Sequence, residues 1–257
     1  FVHFDYIRTR IKLVPILSER YEVDTIQIHG AVINLAINQD GVSNLDDLGG
    51  QKKQQSEPMS FAALILGGID IRDASLTVSD QSAGTHYKIS NANINTGELI
   101  FGKPIELSMA MDVESRKPEL TGDFNLNGTI AYDLDNKRIS IQPLALESNI
   151  VSSNIPEGQT KLVLSTSIEL DLAKDTATIT GLSLAGLGTQ IKGLIRASKI
   201  QSSTPDVRAE LDIAGQDLAL LFKVAEIEPL ASQLAALSDR RFDLKASLNA
   251  DMERGDV

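Results

Sequence analysis

Apolar residues recur at every second position in run after run along this chain. The clearest runs are Ile105-Leu107-Met109-Met111-Val113, Phe124-Leu126 with Ile130-Tyr132, Leu162-Leu164 with Ile168-Leu170-Leu172, and Phe242-Leu244-Ala246-Leu248. Side chains alternate between the two faces of a β-strand, so each run makes one apolar and one polar face. The intervening residues fit: Glu106, Ser108, Asp112 and Glu114 in the first run, Asp123, Asn125, Asn127, Thr129 and Asp133 in the second. Consecutive strands joined by short turns favour antiparallel pairing. The expected fold is therefore mainly β, with a large half-apolar sheet surface.

The first strand is predicted over Phe4 to Ile11. A short apolar turn, Leu13-Val14-Pro15-Ile16-Leu17, follows it, because Pro15 has no N–H for a ladder. Tyr21 to Asn38 is the next strand region. Ile26 and Ile28 share one parity and Ile33, Leu35 and Ile37 the other, so Gly30-Ala31 marks a bend or bulge. Asp40 to Asn44 is a turn cluster, and residues 49–60 are a polar linker and a sub-boundary. The bent pattern then returns: Ile69 and Ile71, a break at Asp73-Ala74, Leu76 and Val78. The offset from Ile26 to Ile69 is 43 residues and suggests a repeated bent-strand unit. Ile179, Gly181, Leu182 and Leu184 show the same mid-strand break. Strands continue at Ile191-Gly193-Ile195 and from Val207 to Ile213. The period then becomes helical. Asp217 is the N-cap of an amphipathic helix broken at Pro229, with Leu218, Leu221, Phe222, Ala225, Leu230, Leu234 and Leu237 on one face. It spans 217–237 and either caps the sheet or packs as core.

Composition narrows the functions. A hydrophobic content of 42% supports a packed core, and a net charge of -11 repels nucleic-acid phosphate and anionic headgroups. No nucleic acid is expected as a partner. Aromatic content is only 4% and Trp is absent, so the apolar surface is aliphatic and suits hydrocarbon better than rings. There is no Cys. The chain begins at Phe1 rather than Met and holds no run of about 18 apolar residues. It is expected to be a fragment of a longer protein, with any anchor or targeting segment outside it.

No motif assembles catalytic chemistry. Gly97 to Lys103 has the glycine and lysine spacing of a phosphate loop, but Pro104 stands where a hydroxyl should reach Mg²⁺. In Gly186-Leu187-Gly188 the third glycine of a dinucleotide loop is misplaced, and a strand pattern follows. His3, His29 and His86 are far apart in sequence and predict no metal site. Asp40, Asn44, Asp46 and Asp47 do not fit a calcium loop, and Asp133 and Asp135 flank a turn. Asn127-Gly128-Thr129 matches a glycosylation acceptor inside a strand run. The chain is expected to be no enzyme and to hold no cofactor.

Several segments together resemble the AsmA family of Gram-negative envelope proteins. They are Leu13 to Leu17 with Tyr21 to Gly30; Ile33-Asn34-Leu35 leading to Asp40 to Leu48, with Leu45 where the family often has Trp; Ile71 to Asp80 with Ile89 to Gly97; and Lys103-Pro104-Ile105 with the strands to Leu146. The resemblance covers most of the chain. It implies a periplasmic body anchored in the inner membrane by a helix outside this fragment. It also implies kinship with repeating β-groove proteins that carry phospholipids between membranes and sustain outer-membrane biogenesis.

With that resemblance, the expected architecture is a long bent antiparallel sheet forming an open groove, one elongated body over 1–257. Bends at Gly30, Gly122, Gly128, Gly181 and Gly193 serve the curvature. The groove candidates are Leu107, Met109, Met111, Phe124, Leu126, Ile130, Leu164, Ile168, Leu170 and Leu248. The expected partners are phospholipid acyl chains and the inner membrane. The same alternation also fits a closed β-sandwich, and with it an envelope scaffold that binds proteins and carries no lipid.

Overall fold

The computed structural model describes residues 2–16, 21–44, 64–100, 102–117, 119–133, 135–153, 155, 158–202, 204–219, 233, 239 and 241–251. The linker 49–60 and most of the predicted helix 217–237 lie outside these residues. Leu218, Ala219 and Gln233 are helical.

The chain is mainly β. In order, its elements are β1 (Val2–His3), β2 (Tyr6–Arg8), β3 (Ile11–Lys12), the helical turn α1 (Leu13–Ile16), β4 (Tyr21–Val23), β5 (Ile26–His29), β6 (Val32–Ile37), β7 (Leu64–Leu66), β8 (Ile69–Asp80), β9 (Thr85–Thr96) and β10 (Leu99–Ile100). Then follow β11 (Ile105–Arg116), β12 (Glu119–Asp133), β13 (Arg138–Val151), β14 (Gln159–Asp171), β15 (Thr176–Gly186), β16 (Thr189–Ser198), β17 (Asp206–Gly215) and β18 (Phe242–Asp251). A 14-stranded sheet runs β1-β6-β8-β9-β11-β12-β13-β14-β15-β16-β17-β18, with β2 and β5 joined beside β8, and it is not closed into a barrel. A separate sheet orders β10-β7-β4-β3.

The sheet is mixed rather than antiparallel throughout. β5 and β6 both pair with β8 in parallel, as β4 does with β7. Parallel neighbours cannot be joined by a tight hairpin, and these pairs are indeed distant in sequence. The 43-residue offset is this pairing: Ile26 stands opposite Ile69 and Ile33 opposite Leu76. β5 and β6 lie end to end along one edge of β8, and Gly30 separates them with φ 63.

The single strand expected over Phe4 to Ile11 is instead two. Tyr6–Arg8 pairs with β5, whereas Ile11–Lys12 pairs with β4 in the smaller sheet. Alternation does not reveal a change of sheet. Tyr21 to Asn38 is likewise divided into β4, β5 and β6.

The chain divides into two compact units, Phe1–Asn127 with Asn149–Asn154, and Gly128–Ser148 with Ile155–Val257. Among the described residues, the buried apolar side chains are Ala92, Ala209 and Ala219 alone. The described Leu, Ile, Val, Phe and Met side chains all keep part of their surface in water. No helix among the described residues is long and apolar enough to cross a membrane.

Candidate functional site

Residues directly opposite each other on neighbouring strands point to the same face, so register converts alternation into rungs. In the first unit, Ile28, Ile71, Ile94 and Met109 form one rung across β5, β8, β9 and β11. Ile33, Leu76, Ile89 and Val113 form another across β6, β8, β9 and β11. In the second unit, Leu164, Leu184, Ile191, Ile213 and Leu244 are successively opposed from β14 to β18. Ile168, Ile179, Ile195 and Ala209 follow them. Each unit thus carries an aliphatic sheet face built from long-range pairings.

The groove candidates fall on these strands. Leu107, Met109, Met111, Phe124 and Leu126 lie in the first unit, and Ile130, Leu164, Ile168, Leu170 and Leu248 in the second. Met109, Leu164 and Ile168 are in the rungs named above. Leu107 faces Thr96, Leu170 faces Ala177, and Met111 stands at a register shift between Ala110 and Asp112. The nine from Leu107 to Leu170 are all half-buried. Leu248 lies opposite Ala209, and its side chain is outside what is described.

Two lines of irregularity cross these faces. In the second unit, Thr180 and Gly181 make a bulge in β15, with Gly181 at φ 60. The hydroxyl of Thr166, only 5% exposed, donates to the Thr180 carbonyl at 3.1 Å and satisfies a group the bulge frees. Of the five expected bend glycines, Gly30 and Gly181 adopt positive φ. Gly122, Gly128 and Gly193 serve close approach instead: a Cβ on Gly193 would run into the Glu210 carbonyl of β17.

In the first unit the line passes through Gly30, Asp73 at φ 52 and Asn91 at φ 51. Short polar side chains tolerate this left-handed region by bonding locally. Asn93 Oδ1 accepts the Asp73 N–H at 3.2 Å, and Asn93 Nδ2 donates to the Asn91 carbonyl at 2.7 Å. Asn91 Nδ2 donates to Asp112 at 2.6 Å. His29 completes the belt. Its Nδ1 lies 3.1 Å from Asp5 and its Nε2 3.0 Å from Asp73, while the Tyr6 ring stacks on it at 5.3 Å. In the sequence His29 has no His within metal-ligand spacing and reads as isolated. The offset that pairs Ile28 with Ile71 would have placed Asp73 beside it.

The turns are held by carboxylates and carboxamides. Asn44 accepts from the Ala36 N–H and donates to the Asn34 carbonyl, so its side chain imitates a strand rung. Backbone N–H donation from Lys174 holds the Asp171 carboxyl below its ordinary range despite its burial, helped by Arg138. The Ser82 hydroxyl lowers Asp80, the Asn136 carboxamide lowers Asp133, and the Arg241 guanidinium lowers Asp239 to about 2. Leu187 and Gly188, both at positive φ, form the tight β15–β16 hairpin. The Gly97 to Lys103 segment carries β10 and a turn at Gly102. Among the described residues no group of three or more His, Cys, Asp or Glu is arranged to hold a metal ion.

No protein-family model, curated protein or solved structure matches the chain.

Proposed function

We propose that the aliphatic sheet face is a lipid-binding groove, and that the protein takes part in phospholipid transport between the inner and outer membranes. The observation that carries this reading is the incomplete burial of long cross-strand aliphatic rungs. Ile28, Ile71, Ile94 and Met109 in one unit, and Leu164, Leu184, Ile191, Ile213 and Leu244 in the other, all keep contact with water. Continuous apolar surface of this kind calls for a covering partner. Each methylene of an acyl chain laid on it gains about 0.8 kcal/mol, so a chain is held without a specific polar site.

The bulges at Asp73, Asn91 and Gly181 support a sheet that curves around such a chain. The resemblance to the AsmA family supports the same function, with the body in the periplasm and the anchor in the inner membrane. Acyl chains would slide passively along the face while headgroups remain in water. The test is transfer of a fluorescent-tailed phospholipid between donor and acceptor vesicles. The protein should accelerate transfer, and Met109→Asp or Leu164→Asp should abolish the acceleration while leaving the melting temperature in place. A rate equal to that of vesicles alone overturns the reading.

A further inference from the structure

The polar side of the first unit carries a feature the lipid reading does not use. An open depression of about 360 Å³ is lined by the polar side chains of Asp70, Arg72, Asn95, Ser108, Asn125 and Asn127, with Ile71, Ile94 and Met109 also at its floor. Asp70, Asn95 and Ser108 stand in one rung across β8, β9 and β11. Asn125 and Asn127 occupy alternate positions on β12, and so the same face. This face is opposite in parity to the rung of Ile71, Ile94 and Met109.

The chemistry of the lining is specific. Asn91 and Asn93 spend their carboxamides on the bend. By contrast, the side chains of Asn95, Ser108, Asn125 and Asn127 are exposed and make no hydrogen bond among the described residues. Each carboxamide offers both donors and an acceptor, and the hydroxyl offers one of each kind. Arg72 pairs with Asp70 in bidentate fashion: its Nε donates at 3.0 Å and an Nη reaches the same carboxylate at 2.9 Å. Asp70 is only 9% exposed, while the Arg72 side chain is 64% exposed and turns its remaining N–H groups to water.

The two charges cancel, and nothing else in this lining is ionised. An anion would meet no surplus positive charge and a chain of net charge -11. A cation would meet no unpaired carboxylate. A neutral ligand rich in hydroxyls matches what remains, since each hydroxyl also both donates and accepts. The volume lies at the lower end of the range for small-molecule sites. We propose that this polar face is a binding site for a neutral carbohydrate of one or two sugar units. No aromatic ring lines it, so stacking is absent and affinity is on the order of millimolar. The proposal is independent of the acyl-chain reading and uses the other face of the sheet.

The test is an NMR titration of the ¹⁵N-labelled chain with maltose, cellobiose and N,N′-diacetylchitobiose, and separately with inorganic phosphate. At least one disaccharide should give saturable shifts at the side-chain amides of Asn95, Asn125 and Asn127. The double variant Asn125→Ala/Asn127→Ala should weaken that binding at least about tenfold with an unchanged melting temperature. Should that variant melt early, Ser108→Ala is the second test and should weaken binding in the same direction. No saturable shift from any of the three sugars overturns the proposal. So does unchanged affinity in a folded variant, or displacement of the sugar by phosphate.

Discussion

Gly30 and Asp73 occupy equivalent places 43 residues apart, between the parallel pairs His29–Arg72 and Val32–Ser75. Both are left-handed, with φ 63 and φ 52. The Gly30 N–H donates to the Arg72 carbonyl at 3.0 Å, and the Asp73 carboxylate reaches the ring of His29, the residue before Gly30. Two adjacent strand paths thus break at the same level, which lets the sheet bend without losing its register.

Substitution at this pair should be asymmetric. A Cβ on Gly30 would run into the Asp5 carboxylate, and a left-handed L-residue is itself strained by about 1–2 kcal/mol. Gly30→Ala should therefore destabilise the fold by at least about that amount. Asp73→Gly relieves the backbone while losing the His29 contact, so its effect should be smaller than that of Asp73→Val. Urea denaturation of the three variants measures the order.

His29 joins β5 to both Asp5 and Asp73, yet its side chain is 34% exposed and that of Asp73 63%. Solvent screening keeps such contacts weak. A double-mutant cycle with His29→Gln and Asp73→Asn should give a coupling below about 1 kcal/mol. A larger value would mean that the belt, rather than the strand pairing, fixes the N-terminal strands.

Gly193 sits in the apolar face between Leu182 and Leu211, where its missing side chain lets β16 approach β17. The obstructing atom is backbone and does not swing aside. Gly193→Ala should lower stability by about 1–3 kcal/mol and shift the cross-strand amide resonances of Glu210 and Leu211. Gly122→Ala, against the Asn149 carbonyl, should behave alike.

Acid should weaken the protein through its turns. The carboxyls of Asp80, Asp133, Asp171 and Asp239 lie below their ordinary range in the folded state. A depressed folded value contributes stability above the unfolded value, about pH 4, and that contribution is lost as pH falls through the folded value. Asp171→Asn should destabilise near neutral pH, and its difference from the native chain should shrink below about pH 4. Denaturation midpoints across the acid range read this directly.

The strands were legible because alternation has a period of two and these runs are long. The bends were legible at Gly30 and Gly181, where parity changes or a glycine interrupts it. The 43-residue offset was visible too, but its meaning was not. A repeat in sequence does not say whether two segments lie side by side, and here they are parallel neighbours that exchange ladder hydrogen bonds. The switch of sheet between Arg8 and Ile11 leaves no trace in polarity. The belt of Asp5, His29, Asp73, Asn91 and Asn93 was hidden because it forms across strands far apart in sequence. Each member alone reads as an ordinary turn or surface residue. The aliphatic candidates were legible as a face. Their half-burial was not, since alternation is the same whether or not a second layer covers it.

The most direct test of lipid binding is native mass spectrometry of the purified protein, paired with lipid extraction of the same sample. Phospholipid should be retained at near-stoichiometric amounts and be lost from the folded Met109→Asp and Leu164→Asp variants. A lipid-free mass that takes up no phospholipid on incubation with vesicles would contradict the groove.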